Sequence, residues 1–242
     1  MGTPRIEVCF SPISLPLHQD EHEVVVVVDV LRASSAICTA FQYGVERILP
    51  LETLQEASEY QRNGYVVGAE RKGQVVEGYE LGNSPFHYMK EELKGETVAM
   101  TTTNGTRAIR AVPFSKTLMI GSLINLSALC EQLAHMNKNT LVLCAAWQDR
   151  FNMEDAICAG AIASQLLLEK GFISHHDSSI ASKYLYLSAR SNYFGFLRSS
   201  SHRRRLKALN LNEDIKYCLT PDLTDVVPIH RNGGLEPVRK EA

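Results

Sequence analysis

The most regular feature of the hydropathy pattern is a run of five valines, Val24 to Val28, broken at once by the charge of Asp29. A run that is apolar at every position has no solvent face, which is how a central parallel strand covered by helices on both sides reads. Shorter apolar runs at 5–12, 47–51, 65–69, 97–100, 117–122 and 140–146 read as further strands, and residues after the first of them, through Asp20, as a loop. Helical spacing appears between them at 34–43, ended by Gly44, and at 52–62, ended by Asn63-Gly64. It recurs for roughly two turns after the run 101–106, at 124–136, and at 152–168, where small residues suit close packing against a sheet.

Strand and helix alternate to about residue 170, the signature of parallel β/α layering. Beyond that the pattern turns helical at 177–188 and 199–209, then extended over 225–238 with a break at Gly233-Gly234. The expected fold class is α/β, a layered α/β/α arrangement on a mostly parallel or mixed sheet with a helical C-terminal third. It is expected as one compact domain or two intimately packed halves.

Composition narrows the function classes. Hydrophobic residues make up 45% and charged residues 21% of 242, an ordinary globule with enough chain for a sizeable core. A net charge of -2 argues against nucleic acid and membrane surfaces as partners while leaving small anions open. No stretch is long enough for a membrane span, and no signal-peptide pattern is visible. The six cysteines are widely spaced, lack a C-x-x-C pair and sit mostly in apolar segments, so buried thiols and a cytoplasmic address are expected.

Candidate chemistry gathers where strands end. Asp29, Arg32, Ser34 and Ser35 follow the valines at the carboxyl end of the strand, the edge where open α/β sheets bind ligands. An acid directly after buried valines is partly desolvated and requires a cation, either Arg32 or a metal; the plainer reading is a capping acid beside a surface arginine. Ser34 and Ser35 read first as helix caps. In TTTNGTR the hydroxyls of Thr101, Thr102, Thr103 and Thr106, the Asn104-Gly105 turn and the N–H groups of a new helix form an anion receptor. Arg107 in the first turn opposes the helix dipole, so an anion is expected beside it; the plainer reading of the whole turn is an N-capped helix with a solvated arginine.

Glu154 and Asp155 open the helix at 152–168 behind Asn152 as cap. They either complement the helix dipole or supply oxygen ligands to a hard divalent cation. Glu70 and Arg71 end a strand and lead into a glycine-rich loop, 72–85, that closes on Gly82, Asn83 and Ser84 and is long enough to be functional. Cys144 and Arg150 have the C-x5-R spacing of cysteine phosphatases. Trp147 and Asp149 inside it do not suit a phosphate cradle, so a buried structural cysteine is expected. The basic run 198–207 around His202 reads as a solvated helix face, with an anion or subunit contact as the second reading. The other histidines show no metal-ligand spacing.

Taken in order, DVLRASS, GAERKG, GYELGNSP, TTTNGTRA and MEDAICAG resemble the 2-phosphosulfolactate phosphatase family, over roughly residues 5–230. The resemblance implies a Mg²⁺-dependent hydrolase on an α/β fold, a homodimer, that releases phosphate from the small anionic substrate 2-phospho-3-sulfolactate. It points to Asp29, Arg32, Glu70, Arg71, Gly82, Asn83, Ser84, the turn Thr101 to Thr106, Glu154 and Asp155. The segment 146–150 (AWQDR) is less glycine-rich than that family's pattern, and His202 matches it only loosely. Hydrolysing a phosphate monoester means lowering a barrier by up to roughly 28 kcal/mol, and a single arginine supplies only a few. Mg²⁺ is therefore expected on Asp29 with Glu154 or Asp155. The threonine turn and Arg32 would hold phosphoryl oxygens, and Arg71 and Arg107 the substrate's carboxylate and sulfonate. Attack by water and a phospho-aspartyl intermediate at Asp29 both stay open. So do another phosphorylated hydroxy acid as substrate and a non-catalytic anion-binding protein.

Overall fold

The computed structural model describes residues 2–18 and 21–238. Strands β1 (Ile6–Cys9) and β2 (Val24–Val28) precede helix α1 (Ala33–Gln42), followed by β3 (Arg47–Leu51), α2 (Leu54–Arg62) and β4 (Val66–Arg71). Then come β5 (Gln74–Val75), β6 (Thr97–Thr101), α3 (Gly105–Ala111), β7 (Thr117–Gly121), α4 (Leu126–Met136) and β8 (Thr140–Cys144). The remainder is α5 (Met153–Glu169), α6 (Asp177–Ala189), α7 (Tyr193–Phe196), α8 (Ser201–Ala208), α9 (Asn212–Cys218), β9 (Pro228–Arg231) and β10 (Gly234–Pro237).

The strands form one sheet in the order β1-β8-β2-β7-β9-β10-β3-β6-β4-β5. Two parallel blocks, β1-β8-β2-β7 and β3-β6-β4, are joined by an antiparallel hairpin, β9–β10. Met119 of β7 faces Ile229 of β9, and Ile48 of β3 faces Leu235 of β10. The valine strand shows why both faces must be apolar, because successive side chains point to opposite sides. Val24, Val26 and Val28 enter one core with Leu129 and Leu133 of α4 and Ile157 and Ile162 of α5. Val25 and Val27 enter the other with Ile37 and Phe41 of α1 and Ile109 of α3. Each buried valine contributes roughly 1.5–3 kcal/mol.

This sheet is strongly curled. β2 and β6 stand five places apart in the strand order, about 24 Å in a flat sheet. Yet a Cβ built on Gly105, just past β6, would lie 2.8 Å from Oδ2 of Asp29, just past β2. The sheet wraps α1, whose residues Ala33 to Phe41 are all buried, and so brings distant strand ends together.

The strands and helices expected up to residue 170 are present, with several differences. The glycine-rich loop contains β5, which folds back on β4. The expected loop after β1 contains a 3-10 turn at Pro12–His18, while Gln19 and Asp20 lie outside the described residues. Short helices α7 and α9 have too little periodicity to be visible in the sequence. Ser34 and Ser35 are not caps, because α1 starts at Ala33. The Ser34 Oγ accepts from the Asp29 amide at 3.1 Å and the Ser35 Oγ donates to the Val30 carbonyl at 2.8 Å, bracing the loop from within. The small residues of α5 also serve a helix: a Cβ at Gly160 would stand 1.9 Å from the Ser182 carbonyl oxygen of α6. No helix of the described residues is long and apolar enough to cross a membrane.

Candidate active site

The carboxyl ends of β2, β4, β6 and β8 meet at a cavity of about 250 Å³, with α8 as its remaining wall. That is below the size of drug-like pockets and suits a small metabolite. Asp29, Arg32 and Glu70 reach it from the first two strand ends, Thr103 and Asn104 from the third, Trp147 and Gln148 from the fourth, and His202 and Arg205 from α8.

Four carboxylates are buried here: Asp29, Glu70, Glu154 and Asp155. Burial pushes the Asp29 carboxyl up to about 6, with Glu70 and Glu154 pushing the same way and His202 and the Ala33 amide opposing. Among the described residues no lysine or arginine forms an ion pair with Asp29, and Arg32 pairs with Asp214 instead. Asp155 is also pushed well up by burial and by Asp29. Its two oxygens accept from the Val30 amide at 2.8 Å and from Nδ2 of Asn152 at 2.9 Å, so it fastens the end of β2 to the start of α5. Asn152 therefore caps α5 by backbone position while its side chain serves Asp155, and no capping box forms. Glu154 receives Nδ1 of His202 on Oε1 at 2.6 Å, and its Oε2 is buried without a partner.

Glu70 organises the opposite wall. It accepts from the Gly73 amide at 2.5 Å, the Thr103 amide at 3.0 Å and the Thr103 hydroxyl at 3.1 Å, and more weakly from Asn83 at 3.4 Å. Asn83 reaches the cavity with its Oδ1 unpaired. Ser84 is buried behind it at the start of a 3-10 turn. Arg32 is buried and lines the cavity, held by Asp214 of α9 at 2.6 Å and by the Gly73 carbonyl at 2.7 Å.

The threonine turn spends most of its hydroxyls on itself. Thr102 and Thr106 exchange amide-to-hydroxyl bonds at 3.0 Å, and Thr101 receives Arg71 at 3.0 Å. Thr103 and Asn104 face the cavity, while Gly105 allows the turn to touch Asp29. Arg71 and Arg107 are not brought to the cavity. Arg71 follows Glu70 on β4 and projects to the other side, bonding the Glu70 carbonyl and Thr101. Arg107 does have its anion, but that anion is Asp149, at 2.6 Å.

Sequence reasoning underrated α8 and the β8–α5 loop. His202 and Arg205 are one helical turn apart on α8, so they share a face. The Arg205 guanidinium lies 3.9 Å from the centre of the Trp147 ring. Trp147, treated as an argument against a phosphate cradle, is thus a platform for a cation. The loop that carries it holds Ala146, Gln148 and Asp149 at positive φ, the conformation glycine adopts without cost. Cys144 is buried and its thiol pushed well up by burial, the opposite of an activated nucleophile.

Among the described residues, no three His, Cys, Asp or Glu side chains form a group able to hold a metal by themselves. Mg²⁺, however, is usually held by one or two carboxylates, with water and substrate phosphate completing its shell. Asp29, buried without an ion pair to a lysine or arginine among the described residues, and the unpaired Oε2 of Glu154 are hard donors of that kind. Asp155 already accepts one hydrogen bond on each of its oxygens.

The family model described as 2-phosphosulpholactate phosphatase matches residues 9–233. A probable 2-phosphosulfolactate phosphatase of Caldanaerobacter subterraneus subsp. tengcongensis is 39% identical over 213 residues, covering 86% of this chain and 88% of the relative. Proteins with the same description from Clostridium beijerinckii and Thermotoga maritima are 33% identical over 233 residues and 36% over 221. They cover 95% and 91% of this chain, and 98% and 95% of their own.

Proposed function

We propose, because this chain belongs to the 2-phosphosulfolactate phosphatase family and is a phosphoric monoester hydrolase, that it converts 2-phospho-3-sulfolactate to 3-sulfolactate and inorganic phosphate. The observation that carries this reading is the pairing of a buried, cation-poor Asp29 with the His202–Glu154 couple across one small cavity. Mg²⁺ held by Asp29 and Glu154 would neutralise and polarise a phosphoryl oxygen.

The chain's own groups do the rest. Arg32, Thr103 and Asn104 orient the phosphoryl group, with Arg32 kept in place by Asp214 and Thr103 by Glu70. Glu154 accepts from His202 Nδ1, which fixes the ring; the imidazolium form held in this way carries its second proton on Nε2. Water attacks phosphorus opposite the ester oxygen, the ester P–O bond breaks, and His202 gives its Nε2 proton to the departing alkoxide. One proton of the attacking water then returns to the imidazole, and phosphate leaves. The cytoplasmic address is supported by six free, buried cysteines, and the homodimer by the resemblance alone.

Phosphate release from a panel of 2-phospho acids, before and after chelation and with Mg²⁺ restored, tests this. The expected result is fastest release from 2-phospho-3-sulfolactate, lost on chelation and recovered with Mg²⁺. Equal or faster release from 2-phospholactate would overturn the substrate, and full activity in chelator the metal.

A further inference from the structure

The cations near the cavity separate by what already occupies them. Arg32 is satisfied by Asp214 and the Gly73 carbonyl, Arg71 by the Glu70 carbonyl and Thr101, and Arg107 by Asp149. Arg203, next to His202, lies over Phe194 and donates to its carbonyl. Arg205 differs: its guanidinium is half-buried, lines the cavity, and makes no hydrogen bond or ion pair to any described residue. A half-buried guanidinium that no described protein acceptor engages keeps its fork of donors free for a ligand. Stacking on Trp147 fixes its plane, so little freedom is lost when an anion binds in two-pronged fashion. Lys72, exposed and also without an ion pair among the described residues, stands on the same cavity wall.

We infer that Arg205, held flat by Trp147 and assisted by Lys72, is the specificity-determining residue that binds the substrate's second strong anion, the sulfonate remote from the phosphoester. This rests on the phosphatase reading above and deepens it. The phosphate end belongs to Asp29, Arg32 and the Thr103-Asn104 turn, and the distal end to α8. The substrate class is a small 2-phospho acid with a further anion within a few bonds of the ester, and a neutral phosphate ester would leave Arg205 unpaired. Lysine cannot replace arginine fully, since a point charge neither stacks nor forks.

The test compares kcat/KM for 2-phospho-3-sulfolactate and 2-phospholactate, which lacks the sulfonate, in wild type, Arg205→Lys, Arg205→Ala and Trp147→Leu. Calorimetric binding of 3-sulfolactate and lactate to the same four proteins runs alongside. One charge-assisted pair predicts that Arg205→Ala collapses the wild-type preference by roughly 10- to 100-fold, mostly through KM. Arg205→Lys should fall between, as should Trp147→Leu. A preference unchanged in Arg205→Ala, including equal losses on both substrates, would overturn the assignment. If wild type hydrolyses neither ester, the phosphatase reading fails by itself. The binding ratio of 3-sulfolactate to lactate still decides the subsite, which is upheld if Arg205→Ala abolishes the ratio and overturned if wild type shows none.

Discussion

Two buried carboxylates in this protein live under opposite conditions. Glu7, on β1, is surrounded by imidazoles: Nδ1 of His18 and Nδ1 of His176 each lie 2.9 Å from its Oε1, and Nε2 of His22 lies 3.2 Å from its Oε2. Asp29, two strands away in the sheet order, has other carboxylates around it, with His202 the side chain that opposes them. Both are almost fully buried, so burial does not distinguish them. What separates structure from function is whether the protein itself supplies hydrogen-bonding partners for the buried carboxylate. Glu7 is fully provided for and ties β1, the segment before β2 and the start of α6 together. Asp29 is underprovided, and the deficit is what a cation or a reacting ester would meet.

The sharpest way to break this contrast is a pair of isosteric changes. Asp29→Asn should lower kcat/KM by on the order of 10³-fold, while raising stability above pH 6. The sign follows from the raised carboxyl. Between about pH 4 and pH 6 the folded protein holds a proton the unfolded chain has lost, so stability falls as pH rises through that window and is flat above it. Removing the charge restores up to about 3 kcal/mol, measurable by urea unfolding at pH 5 and pH 8. Glu7→Gln should do the reverse, costing about 3 kcal/mol by stranding its imidazoles and leaving kcat/KM within about threefold; a large loss of rate there would dissolve the distinction.

Next in size, His202→Gln should reduce kcat by roughly 10² to 10³-fold with little change in KM, because the ring acts on the leaving group. The pH profile comes third: at sub-saturating Mg²⁺, log kcat/KM should fall below about pH 6 as the metal-free Asp29 takes up its proton, and a flat profile to pH 5 under that condition would contradict its role as an anion. Smallest in effect on rate, Gly160→Ala should cost about 2–3 kcal/mol by forcing α5 from α6. Because α5 opens with Glu154 and Asp155 and α6 begins beside His176, it perturbs both regions at once and calibrates how far the strain of one reaches the other.

Much of this was legible in the linear chain. The valine run announced a two-faced strand, and five separated motifs announced a single site, because strand ends converge by topology and local pattern carries strand ends well. Three things were not. Glu70 and Arg71 were read as a pair, although neighbours on a strand point to opposite sides, and only Glu70 reaches the cavity. The α8 stretch SHRRRLKA has the composition of a solvated helix, and nothing local reveals that one of its faces closes a cavity. Glu7 and its histidines are joined through contacts from residue 7 to residue 176, invisible to any window of sequence.

The hairpin β9–β10 fills the middle of the sheet yet comes after every other strand in the chain. Until it arrives, β7 and β3 each carry a row of unpaired amides and carbonyls, open to any passing strand. The last stitch of this protein is therefore also its keystone. Removing residues 228–237 would not trim a border but would part the sheet in two, and with it the β2 and β6 ends that meet over the cavity.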